Sequence, residues 1–376
     1  MKILLTIHHY LDPHSGAPGT VLRLGQAYEQ LGHEVDYYAF DDLPQWAQSL
    51  SPEVVFPEFL AAYLVQHAHQ YDVVDTSTRD AWLWGSVLRG LLGRPPLLVT
   101  RSHGLEHAVH LQYLEDVKQG KQLLSWKYPL YRGSVQLWEV AQSLRCADLA
   151  FLLNQQDQKY AVEVLGVQAR RAHVTHNGIP DSFLNRPLHL DADSEYLKIA
   201  QIGSYIARKG IQYSVPALNA ILARHPQVSL SLLGTECSAE VVLADFDSAV
   251  HERVEVVPRF EHERLPELLE GYHIKLFTPL SEGFGKVLVE AMALGLAPVT
   301  TAAPGPLEVV SSGHDALVVP MQDSQAIEQA LERLISDRVY LNQIRSHAYA
   351  TAQKFGWSCL AQQRLKLYQQ AMEARG

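Results

Sequence analysis

The sequence predicts an α/β protein with two domains, each built on a parallel β-sheet. Short apolar runs typical of buried strands alternate with segments of helical spacing along most of the 376-residue chain. This alternation stops in a polar stretch at 183–196 and starts again at 197. Domains contain about 150 residues on average, so the length of the chain also favours two domains. We therefore expect Rossmann-like domains at 1–182 and 197–354, joined by a linker at 183–196.

Composition and charge restrict the possible functions. The chain is 47% hydrophobic and 19% charged, which is typical of a globular protein, and its formal net charge of −10 argues against a general nucleic-acid binder. Its three cysteines, Cys146, Cys237 and Cys359, have neither metal-site spacing nor a disulfide framework. The apolar N-terminal run is too short for a signal peptide, and no stretch is apolar for long enough to span a membrane. We expect a cytoplasmic protein.

The first half opens with a βαβ pattern. Residues 2–7 form an apolar strand, a loop rich in His, Pro and Gly follows at 8–19, and helical spacing runs from 20 to Gly32. Asn154, with Asp157 three residues later, has the spacing of a helix N-cap. The other predicted elements of this half are strands at 35–40, 71–75, 97–100, 145–153 and 171–175 and helices at 81–92 and 159–165.

A histidine follows one of these strands. Ligands of doubly wound sheets bind beyond the carboxyl ends of the strands, so His103, just after the strand at 97–100, is a candidate site residue. A capped structural histidine is the alternative. Glu106 and His107 are weaker candidates close by.

The second half centres on residues 280–295, LSEGFGKVLVEAMALG. A buried strand at 274–278 precedes this stretch, two glycines follow, and a helical pattern runs from Lys286 to Gly295. A strand, a glycine loop and a helix N-terminus together form an anion site. Two carboxylates bracket it, Glu282 and Glu290, and we expect Glu290 to point away from the apolar stripe of the helix. A ligand with both phosphate and hydroxyl groups would use all of these features.

The motif resembles the E-x7-E signature of the GT-B glycosyltransferases, in particular the retaining family 4. The family consensus E-G-F-G-x-x-x-x-E-A-M-A-x-G is matched at every fixed position from Glu282 to Gly295. Residues 32–35, GHEV, are similar to the end of the family's opening, whose glycine pair falls on Ser15 and Gly16 here. Residues 203–210 resemble G-R-x-x-x-x-K-G, with Lys209 matching and Ser204 in place of the arginine.

The resemblance implies a GT-B fold, in which two Rossmann-like domains face a central cleft. Residues 1–182 would bind the acceptor and 197–354 the nucleotide-sugar donor. The terminal segment 355–376, which begins Phe355-Gly356-Trp357, resembles the helix that crosses back onto the N-terminal domain. The implied activity is transfer of a sugar from a nucleotide-diphosphate sugar to a hydroxyl acceptor, such as a glycan, a lipid-linked molecule or a small molecule. Retention of configuration and independence from metal and other cofactors are also implied.

The same resemblance assigns roles to individual residues. Glu290 would accept hydrogen bonds from the ribose hydroxyls, and Glu282 with the loop amides would hold the hydroxyls of the transferred sugar. Lys209 would neutralise the diphosphate, and the adjacent Arg208 would supply the charge missing at Ser204. His103 would position sugar or acceptor. The expected donor-binding residues are Gly16, Ser204, Arg208, Lys209, Glu282, Gly283, Phe284, Gly285, Lys286, Val287 and Glu290, and the expected catalytic residues are His103, Lys209 and Glu282.

Several alternatives stay open. Glu282 and Glu290 could be a glycosidase pair, although the glycine-rich anion site between them favours a phosphate-bearing donor. The fold would also suit a nucleotide-sugar epimerase or hydrolase. The missing arginine at Ser204 is the best argument for an inactive nucleotide-sugar-binding partner of another transferase. A D-x-D sequence at 191–193 resembles a metal motif of another glycosyltransferase class, but it lies in the polar linker, so we expect no metal site.

One segment of the first half departs from the acidic character of the chain. Between 117 and 135 there are four basic residues and no acidic one, with Trp126, Tyr128 and Tyr131 among them. Such a segment could meet a phosphate-bearing acceptor or lie peripherally on the inner face of a membrane. We favour the alternative of a solvated helical hairpin whose aromatic side chains pack on the sheet.

Overall fold

A computed structural model describes residues 1–13, 15–49, 51–120, 122–190 and 196–375. The chain divides into two compact units. The first comprises Met1–Gly178 and Trp357–Gly376, and the second comprises Ile179–Gly356. Each contains a six-stranded parallel sheet with helices between successive strands, so the α/β class and the two Rossmann-like sheets are confirmed.

The sheet of the first unit has the strand order β2-β1-β3-β4-β5-β6. Its central strands β1, β3 and β4 are almost entirely buried, as expected for parallel strands covered on both faces, and β3 and β4 end in buried polar residues. The strands are β1 (Lys2–Thr6), β2 (Glu34–Tyr38), β3 (Val73–Ser77), β4 (Leu97–Arg101), β5 (Leu149–Leu152) and β6 (Ala172–Val174). The first six helices are α1 (Gly16–Gln30), α2 (Gln45–Gln48), α3 (Pro52–His67), α4 (Glu106–Lys118), α5 (Val135–Cys146) and α6 (Gln155–Glu163).

Three boundaries in this unit differ from the prediction. Helix α1 begins at Gly16 rather than 20, because Pro18 lies in its first turn, where no intrahelical N–H bond is lost. The helix predicted at 81–92 is wound as a π-helix over Trp84–Leu88, where the backbone at Gly85 lies against β4 and α5. The strand predicted from 145 begins at Leu149, because α5 continues to Cys146.

The second unit has the strand order β12-β11-β10-β7-β8-β9. Its core is formed by apolar side chains of these strands and of the covering helices. The strands are β7 (Leu197–Ile202), β8 (Val228–Leu233), β9 (Val254–Val257), β10 (Ile274–Phe277), β11 (Ala297–Thr301) and β12 (Leu317–Val319). The helices are α7 (Ile211–Arg224), α8 (Ala239–Leu243), α9 (Leu265–Leu268), α10 (Lys286–Ala293), α11 (Pro304–Leu307), α12 (Ser324–Ser336) and α13 (Arg338–Ala352).

The last helix, α14 (Trp357–Glu373), belongs to the first unit and completes its buried interior. Tyr368 Oη donates a hydrogen bond to Asp75 Oδ2 at 2.6 Å, and the other carboxylate oxygen accepts from Arg101 at 2.7 Å. Tyr28 Oη of α1 lies 2.9 Å from Tyr368 Oη. All four residues are fully or almost fully buried, so this polar network connects α14 with α1, β3 and β4.

The segment for which we predicted a linker is described at residues 183–190 and 196, and these residues belong to the second unit. Tyr349 Oη donates to Arg186 O at 2.7 Å, and Arg345 donates to His189 O at 2.8 Å. The D-x-D sequence at 191–193 lies outside the described residues. None of the described helices has the length and apolar character needed to cross a bilayer.

Candidate functional site

Two adjacent strands of the second unit bring the predicted donor loops together. Strands β7 and β10 are parallel neighbours, so the loops that leave their carboxyl ends lie at the same edge of the sheet. The loop after β7 carries Lys209, and the loop after β10 carries Glu282. Thr278 Oγ1 donates to Lys209 O at 3.1 Å, and Leu280 N donates to Arg208 O at 2.9 Å. These bonds hold the two loops together.

Lys209 and Glu282 form an ion pair at the edge of this sheet. Lys209 Nζ donates to Glu282 Oε2 at 2.6 Å, and each side chain is about one-fifth exposed. A charge-assisted hydrogen bond of this length fixes both groups. The residue predicted to bind phosphate therefore lies beside the residue predicted to bind sugar hydroxyls, although 73 positions separate them in sequence.

Ser204 occupies the position of the family's arginine, and Arg208 was expected to supply the missing charge. The two residues lie in different environments. Ser204 lines a small pocket together with Lys209, Phe277 and Thr278, and it brings no charge to that pocket. Arg208 is exposed, and its Nη1 donates to Ser281 O at 3.3 Å. Arg208 thus lies on the donor loops and leaves most of its guanidinium accessible to solvent.

The glycine loop leads directly into α10. Gly285 is the N-cap residue with a φ of +88°, which favours glycine, and Lys286 and Val287 form the half-buried start of the helix. The N–H groups of a first helical turn have no partners within the helix and form the positive end of its dipole. The predicted combination of strand, glycine loop and helix N-terminus is therefore present.

Gly305, which was not among the predicted site residues, packs against this glycine loop. Gly305 N donates to Glu282 O at 3.0 Å. A Cβ atom added at Gly305 would lie 2.5 Å from Phe284 N and 2.6 Å from the carbonyl carbon of Gly283. Only glycine permits this close approach, so Gly305 positions the loop.

Glu290 is more deeply buried than we predicted. It lies on the side of α10 away from the apolar stripe, but the helix is buried from Leu288 to Ala293 and the Glu290 side chain is 0% exposed. Its Oε1 accepts a hydrogen bond from His262 Nε2 at 2.9 Å, whereas Oε2 has no hydrogen-bond partner among the described residues. The ring of His262 packs near Phe183, with centroids 5.5 Å apart. His262 had no sequence signal, since it lies in a polar loop 28 residues before Glu290.

A buried lysine lies in the same region. Lys275 on β10 is fully buried, and its Nζ has no hydrogen-bond partner in the described part of the chain. Burial holds the pKa of Lys275 well below its usual value, the charge of Lys209 lowers it further, and Glu290 opposes the shift. Lys275 and Lys209 flank Phe277, with Nζ atoms 5.6 and 5.5 Å from the ring centroid. A lysine within the apolar run IKLF is the sequence signal for this site.

In the first unit, His103 lies beyond the carboxyl end of β4, as predicted. Its Nε2 lies 3.1 Å from Ser77 Oγ, and this hydroxyl itself donates to Thr6 O at 3.0 Å. The Ser77 oxygen must therefore accept from His103 Nε2–H, which leaves His103 Nδ1 as a hydrogen-bond acceptor. Burial, together with the positive charge of Arg101, lowers the pKa of His103 well below its usual value, so the ring is neutral at physiological pH.

A second histidine with similar properties follows β1 and was missed. His8 Nδ1 lies 2.6 Å from Asp80 Oδ1, and the fully buried Asp80 also accepts from Thr6 Oγ1 at 3.0 Å. A carboxylate partner requires His8 Nδ1 to donate. The other ring nitrogen, Nε2, takes no part in this pair, and the His8 side chain is 15% exposed. The rule that identified His103, position just after a strand, applies equally to His8.

Glu106 and His107, the two weaker candidates next to His103, make contacts that are explained by the folding of the unit. Glu106 accepts a hydrogen bond from Thr78 Oγ1, and burial raises the pKa of its carboxyl group. Burial lowers the pKa of His107 to about 4, and its ring packs near Tyr160.

The predicted site residues divide between the two units. Gly16 and His103 belong to the first unit. Gly16 is the first residue of α1, and a Cβ atom added there would meet no atom within 4 Å, so the packing of the chain itself does not require glycine. The second unit holds Ser204, Arg208, Lys209, Glu282, Gly283, Phe284, Gly285, Lys286, Val287 and Glu290.

Comparisons with known proteins agree with this architecture. A family model described as Glycosyltransferase Family 4 matches residues 14–183, and one described as Glycosyl transferases group 1 matches residues 189–352. The structure is similar to sucrose-phosphate synthase from Thermosynechococcus elongatus, with a TM-score of 0.75, 21% identity and coverage of 99% of both chains. It is also similar to Anabaena HepE in complex with UDP-glucose, with a TM-score of 0.69, 22% identity and coverage of 98% of this chain and 100% of that one.

Curated relatives give the same assignment. The chain is 28% identical over 181 residues to the gpi3 subunit of phosphatidylinositol N-acetylglucosaminyltransferase from Schizosaccharomyces pombe, covering 47% of this chain and 39% of the relative. It is 23% identical to the Arabidopsis thaliana protein that bears the same enzyme name, covering 76% and 65%. The chain thus spans less than two thirds of the length of these two relatives. The uncharacterized glycosyltransferase MJ1607 from Methanocaldococcus jannaschii is 22% identical, with 94% of both chains covered.

The two family models together span most of the chain, and they match the two units in which the sequence motifs are found. The chain therefore belongs to the family 4 glycosyltransferases of the GT-B fold.

Proposed function

We propose that this glycosyltransferase moves a sugar from a nucleotide-diphosphate sugar to a hydroxyl acceptor, with retention of configuration and without a bound metal. The observation that carries the proposal is the Lys209–Glu282 pair beside the glycine loop and the N-terminus of α10. A cation, a helix dipole and a carboxylate that accepts from hydroxyls suit a ligand with both phosphate and sugar. The complexes of Anabaena HepE with UDP and UDP-glucose support a donor of this class.

In this proposal the cations of the loops stabilise the leaving group. The bond between the anomeric carbon and the β-phosphate oxygen breaks while the acceptor oxygen bonds to the same carbon. The leaving phosphate takes the acceptor proton, so no side chain is needed as nucleophile. Lys209 would lie closest to the developing negative charge, with Arg208 next to it in sequence and Lys286 at the start of α10. A preorganised donor of this kind contributes about 3 to 4 kcal/mol.

Two carboxylates would recognise the hydroxyls of the donor. Glu282 would exchange part of its contact with Lys209 for the hydroxyls of the transferred sugar. Glu290 Oε2, which has no partner among the described residues, would accept from the ribose. Because the Glu290 side chain is fully covered, binding of the ribose would displace the His262 ring.

The first unit would recognise the acceptor. His8 and His103 lie at the carboxyl edge of its sheet, where ligands of such sheets bind, and His103 Nδ1 is a hydrogen-bond acceptor. A neutral imidazole nitrogen can accept the proton of an acceptor hydroxyl in a hydrogen bond and orient its oxygen. Replacing Asp80 with asparagine should therefore raise the KM for the acceptor and leave the affinity for the donor unchanged.

The decisive test compares Lys209→Met with Arg208→Met in a transfer assay with a panel of nucleotide sugars. The nucleotide sugar that binds is first identified by thermal shift. A donor at 100 times its dissociation constant raises the free energy of unfolding of the protein by about 2.7 kcal/mol. We expect Lys209→Met to lower kcat by about 100- to 1000-fold, as for loss of one preorganised donor, and Arg208→Met to lower it about tenfold. Both variants should keep the wild-type circular dichroism spectrum.

Three outcomes would contradict the proposal. Near-normal transfer by Lys209→Met would remove the phosphate assignment. Donor turnover at the same rate with and without acceptor would indicate an epimerase or hydrolase. Tight donor binding without turnover for any acceptor would indicate an inactive partner protein, the alternative that the neutral Ser204 suggests.

A further inference from the structure

Large apolar side chains are exposed in one segment of the first unit, residues 109–138. Within the stretch 111–130 the exposed ones are Leu111, Leu114, Leu123, Leu124, Trp126 and Leu130. Leu123 is 94% exposed and Trp126 is 74% exposed. Single exposed apolar residues are common in proteins, but a concentration of this size marks an interaction surface.

This segment has a defined structure of its own. His110 and Tyr113 of α4 face the chain that follows the helix: His110 Nδ1 lies 3.1 Å from Tyr128 Oη, and the rings of Tyr113 and Tyr128 have centroids 4.4 Å apart. Tyr113 Oη also donates to Leu123 O at 3.1 Å. The polar aromatic side chains thus form the interior of this small structure, while the leucines and Trp126 stay outside.

Helix α4, all of whose residues the structure describes, contributes almost nothing to the core. Its only buried residue is His107, at its start, whereas Leu111 and Leu114 lie one turn apart on the exposed side. We expected the aromatic side chains of this region to pack on the sheet, and Trp126 does not. The exposed surface is therefore not explained by the folding of the unit.

The charge of the segment indicates what covers it. Residues 117–135 contain four basic residues, Lys118, Lys121, Lys127 and Arg132, and no acidic one; Lys121 lies outside the described residues. Glu115 and Asp116 precede them in α4, so four basic and two acidic residues give the segment 109–138 a formal charge of +2 in a chain of net charge −10. Lys118 and Arg132 are 79% and 68% exposed, and their partners Glu115 and Glu53 are 3.8 Å away, so these pairs neutralise them little. Lys127 Nζ lies 5.6 Å from the centroid of the Trp126 ring. A second copy would oppose like charges, whereas lysines beside a tryptophan and leucines suit lipid headgroups above acyl chains.

We propose that the surface formed by residues 109–138 binds a bilayer that contains anionic lipids. The leucines and Trp126 enter the boundary between headgroups and acyl chains, and the basic side chains remain among the lipid phosphates. This attachment is peripheral, and it does not depend on the donor or acceptor assigned above. Its failure would leave the proposed transfer reaction untouched.

The test is co-sedimentation of the full chain, without donor, with phosphatidylcholine vesicles that contain about one third phosphatidylglycerol. Binding should be at least about tenfold stronger than to phosphatidylcholine alone and should weaken with salt. Leu123→Ser combined with Trp126→Ser should lower the vesicle affinity about tenfold or more. Lys118→Glu and Lys127→Glu should each lower it at least about fivefold, since each removes a basic residue.

The matched control is Trp46→Ser combined with Leu91→Ser, which removes side chains 63% and 80% exposed elsewhere in the same unit. This control should bind vesicles as the wild type does. Equal binding by the Leu123/Trp126 variant and the wild type, or equal losses in both double variants, would overturn the proposal. So would a dimer in light scattering that the Leu123/Trp126 variant converts to monomer, because a second copy would then cover the surface.

Discussion

Replacing Lys275 with methionine should stabilise the second unit, and the gain should shrink as the pH rises. The Lys275 amine is fully buried without a hydrogen-bond partner among the described residues, an arrangement that costs about 1–3 kcal/mol. Methionine has a similar length, no polar donor and enough flexibility to fill the same space. At about pH 7.5 we therefore expect the variant to be more stable by at least this amount.

The pH dependence follows from the direction of the pKa shift. In the unfolded chain the lysine is protonated up to its ordinary pKa of 10.5, whereas in the folded unit its pKa lies well below that value. Between the two pKa values unfolding takes up a proton, so the stability of the wild type rises with pH by about 1.4 kcal/mol per unit. The variant lacks this dependence. Its advantage should therefore fall by up to about 2.7 kcal/mol between about pH 7.5 and 9.5.

Urea unfolding followed by far-ultraviolet circular dichroism measures this difference. Tryptophan fluorescence would miss it, because all six tryptophans lie in the first unit. Lys198→Met is the matched control: Lys198 is exposed on the neighbouring strand β7, and its replacement should change stability by less than about 0.5 kcal/mol at every pH. A Lys275→Met variant that is less stable than the wild type throughout the range would refute the reasoning, since Lys275 would then be charged and paired in the folded unit.

Three further predictions concern the proposed donor site. Replacing His262 with alanine removes the observed partner of Glu290 Oε1 and leaves both oxygens of this buried carboxylate without a hydrogen bond to the described residues, so the melting temperature should fall by the equivalent of about 1–3 kcal/mol. His262→Gln should retain much of the stability, and equal melting of both variants would contradict the role of this bond. Gly305→Ala should lower transfer at least about tenfold by displacing the glycine loop, with Gly90→Ala, where an added Cβ meets nothing, as the silent control in the same assay. A chelator added to the transfer assay should leave the rate unchanged, because Lys209 and the helix dipole supply the positive charge; loss of activity that Mg²⁺ or Mn²⁺ restores would show a metal requirement.

The elements and site residues that the sequence predicted correctly depend on local pattern. The strand, glycine loop and helix from 274 to 295 were readable because their periodicity and turn residues are contiguous. The N-cap at Asn154, which accepts from Asp157 N at 2.8 Å, was readable for the same reason. Lys209 could be paired with this loop because both follow strands of a predicted parallel sheet.

The residues that were missed act through tertiary packing. His262 reaches Glu290, and Gly305 supports the glycine loop, by contacts for which neither local sequence carries a signal. The π-helical form of 84–88, within the helix predicted at 81–92, was missed for a similar reason, since the approach of Gly85 to β4 and α5 leaves no trace in the spacing of apolar residues. His8 and Lys275 differ from these. Both had a readable signal, a polar side chain at the end of a strand or inside one.

The place of α14 in the first unit sets an order of events during synthesis. Asp75 and Arg101 leave the ribosome long before Tyr368, the residue that completes their buried network. The second unit is contiguous, Ile179–Gly356, and can form all of its contacts while α14 is still being translated. N-terminal domains usually fold first on the ribosome. In this chain the buried polar network of the first unit would stay incomplete until α14 has been synthesised. The second unit would therefore be the first to reach its native state.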